Sequence, residues 1–237
     1  GFDLVLLARR KDRLQDIAKK LESDYSIRCE IFPADLSSKD EIRKAAERIK
    51  QIENLDILIN NAGFATVGYF ADLPVEKSMR MFDVHMAASV MFTHAALQGM
   101  LKRKRGAIIN VSSVGAFTLT PGNVIYDSTK SFLNTFSENL SLEIKDAGIR
   151  IQALCPGFTR TEFHEVSDFE GFDRSLIPNY LWMTADEVAS LSLKALEEDK
   201  KIVFIPGWKN RLFTWLIQHS AMIRAITQKK VKKRDLK

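Results

Sequence analysis

Short apolar runs alternate along this chain with longer segments whose apolar residues recur every three to four positions. The runs at 3–8, 28–32, 55–60, 106–112, 149–155 and 201–205 predict strands. The segments 11–23, 38–52, 74–102, 123–147, 184–198 and 208–228 carry the helical period. Strands that alternate with helices through short links imply a parallel sheet covered on both faces. The fold class is therefore α/β, a Rossmann-like doubly wound sheet. Such sheets bind ligands beyond the carboxyl ends of their strands. No repeat, low-complexity segment or interdomain linker interrupts the pattern.

Length adds that 237 residues suffice for one such domain. No apolar run reaches the roughly 18 residues needed to span a bilayer. The opening GFDLVLLARR lacks a basic stretch followed by an apolar one, so no signal peptide is expected. Cys29 and Cys155 lie far apart in strand-like segments and are expected to be buried and reduced, which points to the cytoplasm. Four histidines without a His/Cys cluster give no metal site.

Charge changes the picture only at one end. Residues 229–237 hold six of the 35 Lys/Arg and one of the 30 Asp/Glu, leaving 29 of each elsewhere. The basic balance belongs to the tail, which reads as a solvated terminus rather than a nucleic-acid site.

Candidate chemistry concentrates in 108–130, IINVSSVGAFTLTPGNVIYDSTK. A spacing of four puts Tyr126 and Lys130 on one helix face, one turn apart. An ammonium beside a phenol stabilises the phenolate, so the tyrosine pKa is expected to fall toward working pH. That suits a general acid/base for a carbonyl or alcohol. Ser113, thirteen positions upstream, is placed to hydrogen-bond the same substrate oxygen. A Tyr-x-x-x-Lys pair alone is common on solvated helices; the flanking motifs decide. Asn60, Asn61, Ala62 and Gly63 follow the run LDILI. Pro156 and Gly157 follow IRIQAL, and Asp35 lies in PADLS.

With these motifs in order from Gly1 to about residue 205, the chain resembles the classical short-chain dehydrogenase/reductase family. The resemblance implies Ser113, Tyr126 and Lys130 as catalytic residues. It implies cofactor contacts from Asp35, Leu36, Asn61, Ala62, Gly63, Tyr126, Lys130, Pro156, Gly157 and Thr159. It also implies a homodimer or homotetramer formed through the helices near 74–102 and 123–147.

Three departures qualify it. The family's opening strand, glycine-rich loop and helix, about 30 residues, have no counterpart here; residues 3–8 match its second strand. The sequence is expected to start late in the domain, because a missing central strand would leave unpaired edges. The family's asparagine in the helix after the Asn60–Gly63 motif is replaced by His85. There it either serves a proton relay or packs structurally. At the end of the run 3–8, Ala8 is followed by Arg9 and Arg10, where a dinucleotide-binding protein that prefers NAD places an acid. An arginine pairs with a 2′-phosphate, so the expected cofactor is NADP(H), with Arg9 its main contact.

Residues 1–207 are read as the dinucleotide-binding domain. Within it, 158–183 forms an aromatic substrate lid carrying Phe158, Phe163, Phe169, Phe172, Tyr180 and Trp182. Residues 208–237 form an amphipathic helix and basic tail. The helix is expected to pack on the domain or at a subunit interface through Leu212, Phe213, Leu216, Ile217, Met222, Ile223 and Ile226. A membrane surface is the less favoured partner. The expected activity is interconversion of a carbonyl and an alcohol on an apolar substrate such as a ketosteroid, fatty ketone or ketoacyl group. The rival is a non-catalytic binding or regulatory protein of the same fold; an extended sugar-nucleotide epimerase ranks far below both.

Overall fold

The computed structural model describes residues 1–164, 177–198 and 201–220. Strands β1 (Leu4–Ala8), β2 (Cys29–Pro33), β3 (Ile57–Asn60), β4 (Gly106–Val111), β5 (Ile149–Leu154) and β8 (Val203–Phe204) are joined by helical crossovers. The crossovers are α1 (Lys11–Tyr25), α2 (Lys39–Lys50), α3 (Val75–Phe82) with α4 (Ala88–Arg103), α5 (Val124–Glu143) and α6 (Ala185–Glu197). Helix α7 (Trp208–His219) follows β8. A short parallel pair, β6 (Thr159–Arg160) with β7 (Met183–Thr184), closes the base of the segment after β5.

Every strand pairing among the described residues is parallel, as strand–helix–strand crossovers allow. β1 pairs with β2, and β3–β4–β5–β8 form a second, four-stranded sheet. No ladder joins β1 to β3, and Val5 and Ile59 on them stand 42% and 53% exposed. The two sheets nevertheless share one core: Leu7 and Phe32 pack against the cluster that holds Ile42, Leu58, Phe92, Met100 and Ile108. Each such fully buried side chain contributes about 1.5–3 kcal/mol. Alanines 45, 46, 95 and 96 line the contact between α2 and α4, where the absence of bulk lets the helices approach. The neighbouring residues Ala107 and Ile109 point to the other face and pack with Leu154, Val188 and Leu196. Gln152 is buried within β5, and α6 satisfies it: Ser192 Oγ donates to Oε1 at 2.5 Å and Nε2 donates to the Ser192 carbonyl.

Several predicted elements shift. The helical run predicted over 74–102 carries a π turn, Asp83–Ala87, between α3 and α4. α5 stops at Glu143, and the last strand shrinks to Val203–Phe204. Cys155 is buried and Cys29 half-buried; both are free. Phe169, Phe172 and everything beyond Ser220 lie outside the described residues.

Candidate active site

The register of β3 against β4 sets Asn60 opposite Asn110 at the carboxyl ends of the sheet. Asn60 Nδ2 donates to Asn110 Oδ1 at 2.8 Å and to Thr93 Oγ1 at 3.2 Å, and Asn110 Nδ2 donates to Ser137 Oγ at 2.9 Å. This buried amide chain ties β3, β4, α4 and α5 together. A dry polar network holds its members in one arrangement because each unmade bond is costly. Ser112 Oγ, just past β4, donates to the Lys130 carbonyl and fixes the loop against α5.

That frame brings Ser113, Tyr126 and Lys130 together. Ser113 caps the 3-10 turn Val114–Phe117, its Oγ accepting from Gly115 N–H at 3.0 Å. The Lys130 ammonium lies 5.7 Å from the Tyr126 ring centroid and donates to the Val111 carbonyl at 2.8 Å. Its other two hydrogens find no acceptor among the described residues. Burial holds this lysine down to about pKa 8.

The tyrosine departs from expectation. Burial pushes its phenol up to about 12, opposed by a hydrogen bond from Ser113 and reinforced by the Asp127 charge. Desolvation is the largest cause, and the Lys130 ammonium donates to the strand carbonyl. The phenol therefore keeps its proton at neutral pH.

His85 sits in the π turn with 1% exposure, and both ring nitrogens are engaged. Phe64 N–H donates to Nε2 at 3.1 Å, so the ring proton is on Nδ1 and donates to Thr129 Oγ1 at 2.9 Å. Thr129 donates in turn to the Tyr126 carbonyl. Burial and the Lys130 charge hold the histidine pKa well below its ordinary value, so it stays neutral. These bonds brace the loop after β3 against α5.

Of the residues expected to hold a cofactor, Asn61 and Ala62 are exposed just past β3, and Gly63 lies over the histidine and lysine. A Cβ on Gly63 would come within 2.9 Å of His85 Nε2 and 3.6 Å of Lys130 Nζ. Only a glycine lets the backbone come this close to the histidine, and it leaves the lysine beside exposed Asn61 and Ala62, residues expected to contact a cofactor. Leu36 is buried, and Asp35 accepts at Oδ1 from Ser37 N–H and Oγ. Those bonds hold its carboxylate below the usual range. Arg9 is exposed beyond β1 and adds its charge to the field at Asp35. Arg10 and Arg13 instead meet Glu162 in the segment after β5. Pro156 and Gly157 follow β5, and Thr159 Oγ1 donates to the Gly157 carbonyl. Rings continue outward from the tyrosine: His85 at 6.0 Å on one side and Phe163 at 6.2 Å on the other, with Phe158 against Trp182 below.

The network Asn60–Asn110–Ser137, the brace Thr129 and the buried Asp127 escape a reading of the sequence. The visible signal was polar residues interrupting apolar strand ends, ILIN and IINVSS.

Comparison with known proteins agrees with this geometry. The family model described as short chain dehydrogenase matches residues 1–169. The human protein named inactive hydroxysteroid dehydrogenase-like protein 1 is 32% identical over 171 residues, which is 71% of this chain and 52% of that protein. The chain thus spans about half the length of that curated relative. A short-chain dehydrogenase from Sphingobium yanoikuyae, solved in complex with NADPH, superposes with TM-score 0.81 at 30% identity, covering 94% of this chain and 86% of that one. A bulky-bulky ketone specific alcohol dehydrogenase from Comamonas testosteroni superposes with TM-score 0.77 at 25% identity, over 95% and 84% of the two chains. The chain belongs to the short-chain dehydrogenase family.

Proposed function

We propose that the protein is an NADP(H)-dependent oxidoreductase that interconverts a carbonyl and an alcohol on an apolar substrate. The observation that carries this reading is the convergence of Ser113, Tyr126 and Lys130 past the carboxyl ends of β3 and β4, with the Gly63 backbone packed against His85 and close to the ammonium. The hydride is the chemistry that bound NADPH supplies. Tyr126, protonated at neutral pH, gives its hydroxyl proton to the substrate oxygen as charge builds there. Ser113 donates to the same oxygen and orients it. Lys130 keeps two donors for the ribose hydroxyls while Val111 holds its ammonium in place. Asn61, Ala62, Pro156, Gly157 and Thr159 line the cofactor path, with Asp35 and Leu36 at its adenine end.

Arg9 carries the cofactor preference. No acid stands at the end of β1, and the exposed guanidinium suits a 2′-phosphate. The relative solved with NADPH supports the same preference. The ring row of Phe163, Phe158 and Trp182 supports an apolar substrate, as does the bulky-ketone neighbour. Self-association through α4 and α5 belongs to this reading; Val90, Leu101 and Leu142 leave apolar surface on them.

Titration of the protein with NADPH and NADH, followed by nicotinamide fluorescence, tests the reading. NADPH is expected to bind more tightly, and Arg9→Ala to erase roughly ten- to hundredfold of that preference. Equal binding of the two cofactors would remove Arg9 from the role. Binding of neither would favour the non-catalytic alternative, which the relative named inactive also supports.

A further inference from the structure

Helix α7 buries two polar residues and leaves two indoles exposed. Its buried positions are Asn210, Thr214 and Ile217, while Trp208 is 64%, Leu212 49% and Trp215 55% exposed. On a helical projection Trp208, Leu212 and Trp215 form one stripe, opposite the buried three. The polar side faces inward because the active-site loop receives it. Asn210 donates to the Pro206 carbonyl and to Met183 Sδ, and a Cβ on Gly157 would come within 2.7 Å of its amide. Asn210 thus anchors the helix by its inward side, and among the described residues the outward indoles stay more than half exposed, with Trp215 stacked on His219.

Cations flank the stripe. Lys209 lies on one side and Arg211 on the other, both exposed, and the helix contains no acid. The Lys209 ammonium sits 5.8 Å from the Trp208 ring and 5.6 Å from that of Tyr180, itself 63% exposed. Six further Lys/Arg against one Asp occur in residues 229–237. Rings with one polar edge between cations suit the headgroup level of a bilayer, where the ring body enters the acyl boundary and the ammonium meets phosphate. A second copy of the chain fits less well. A two-fold interface would set the same patch against itself and bring Lys209 and Arg211 of both copies together.

We propose that the outer face of α7, with Tyr180, docks on a membrane surface containing acidic lipid. The helix lies in the plane of the surface, about 18 Å long at 1.5 Å per residue. The stripe enters the headgroup layer while Asn210 remains on the loop beside the active site. An apolar substrate would then reach the cleft from the lipid side.

The test uses the full chain with phosphatidylcholine vesicles, with and without about one-third phosphatidylserine. The protein should sediment with the mixed vesicles, and its tryptophan emission should shift to the blue. Trp208→Ser/Trp215→Ser should lower the bound fraction roughly tenfold, with the circular dichroism and melting temperature of the parent. Trp208→Phe/Trp215→Phe should retain most of the binding, which guards against a folding artefact. Equal sedimentation of the serine variant would assign binding to the basic tail and overturn the proposal. So would absence of sedimentation, or a parent dimer that the serine variant converts to monomer without any vesicle binding.

Discussion

Asp127 is a buried carboxyl next to the acid/base tyrosine, with hydroxyls and a backbone amide around it in place of a cation. Thr120 N–H and Thr118 Oγ1 approach its Oδ2 at 3.3 and 3.5 Å. Burial pushes it from 3.8 up to about 7, with the Thr120 and Thr118 bonds opposing. A group whose folded value is raised favours the fold at low pH, and that advantage is lost as pH rises through about 7. Asp127→Asn should therefore stabilise the protein at pH 8 by on the order of 1–3 kcal/mol and change it little near pH 4. Thermal melts across that range check this; a constant offset at all pH values would contradict it. Gly115 is a second sensitive residue. A Cβ there would lie 2.9 Å from Asp127 Oδ1, 3.2 Å from Tyr126 Cε1 and 3.3 Å from Ser113 Oγ. Gly115→Ala should lower kcat/KM roughly a hundredfold, as small misplacements of reacting groups do, while leaving NADPH affinity unchanged. An equal loss in affinity would point to collapse of the whole site instead. Ser113, Tyr126 and Lys130 were legible because one strand–loop–helix segment carries all three. Asp127 was not, because a carboxyl one residue from the tyrosine looks solvated until Thr118 and Thr120 fold over it.

At the scale of elements, the π turn shows what periodicity misses. The apolar pattern over 74–102 continues unbroken, yet the backbone widens at Asp83–Ala87 and turns His85 into the site. The histidine links the Asn61–Gly63 loop, through Phe64, to α5, through Thr129. His85→Ala should cost on the order of 2–4 kcal/mol, from a cavity and an orphaned Phe64 N–H. His85→Gln, which keeps an acceptor on the same helix, should recover part of it. A melting temperature unchanged by the alanine would remove the brace. Helix α7 departs from the expected reading in part. Apolar spacing predicted packing through Leu212, Phe213, Leu216 and Ile217; Ile217 is buried and Leu216 half-buried, but Leu212 and Phe213 are exposed and Asn210 and Thr214 take inward positions beside Ile217. Which side of a short helix turns inward depends on what the rest of the chain offers. Here that is Met183 and the surface of Gly157, both distant in sequence, with the nearby Pro206 carbonyl as a local acceptor.

For the whole molecule, alternation of strand and helix sufficed to give a parallel α/β fold with its site past the strand ends, because that rule concerns order rather than contact. The electrostatics of the assembled site did not follow from order. A lysine one turn from a tyrosine predicts a lowered phenol pKa, whereas shared burial raises the tyrosine to about 12 and lowers the lysine to about 8. Reduction should accordingly be fastest below about pH 8 and decline above it as Lys130 loses its proton. A rate still climbing beyond that point would separate the lysine from the limiting step. The most direct test compares the wild-type protein with Tyr126→Phe, using NADPH and a bulky apolar ketone in single turnovers. Tyr126→Phe should lower the rate at least roughly a hundredfold, at the low end of what a general acid supplies, with NADPH affinity within about threefold. Equal rates for the two proteins would contradict the assignment of Tyr126 as the proton donor.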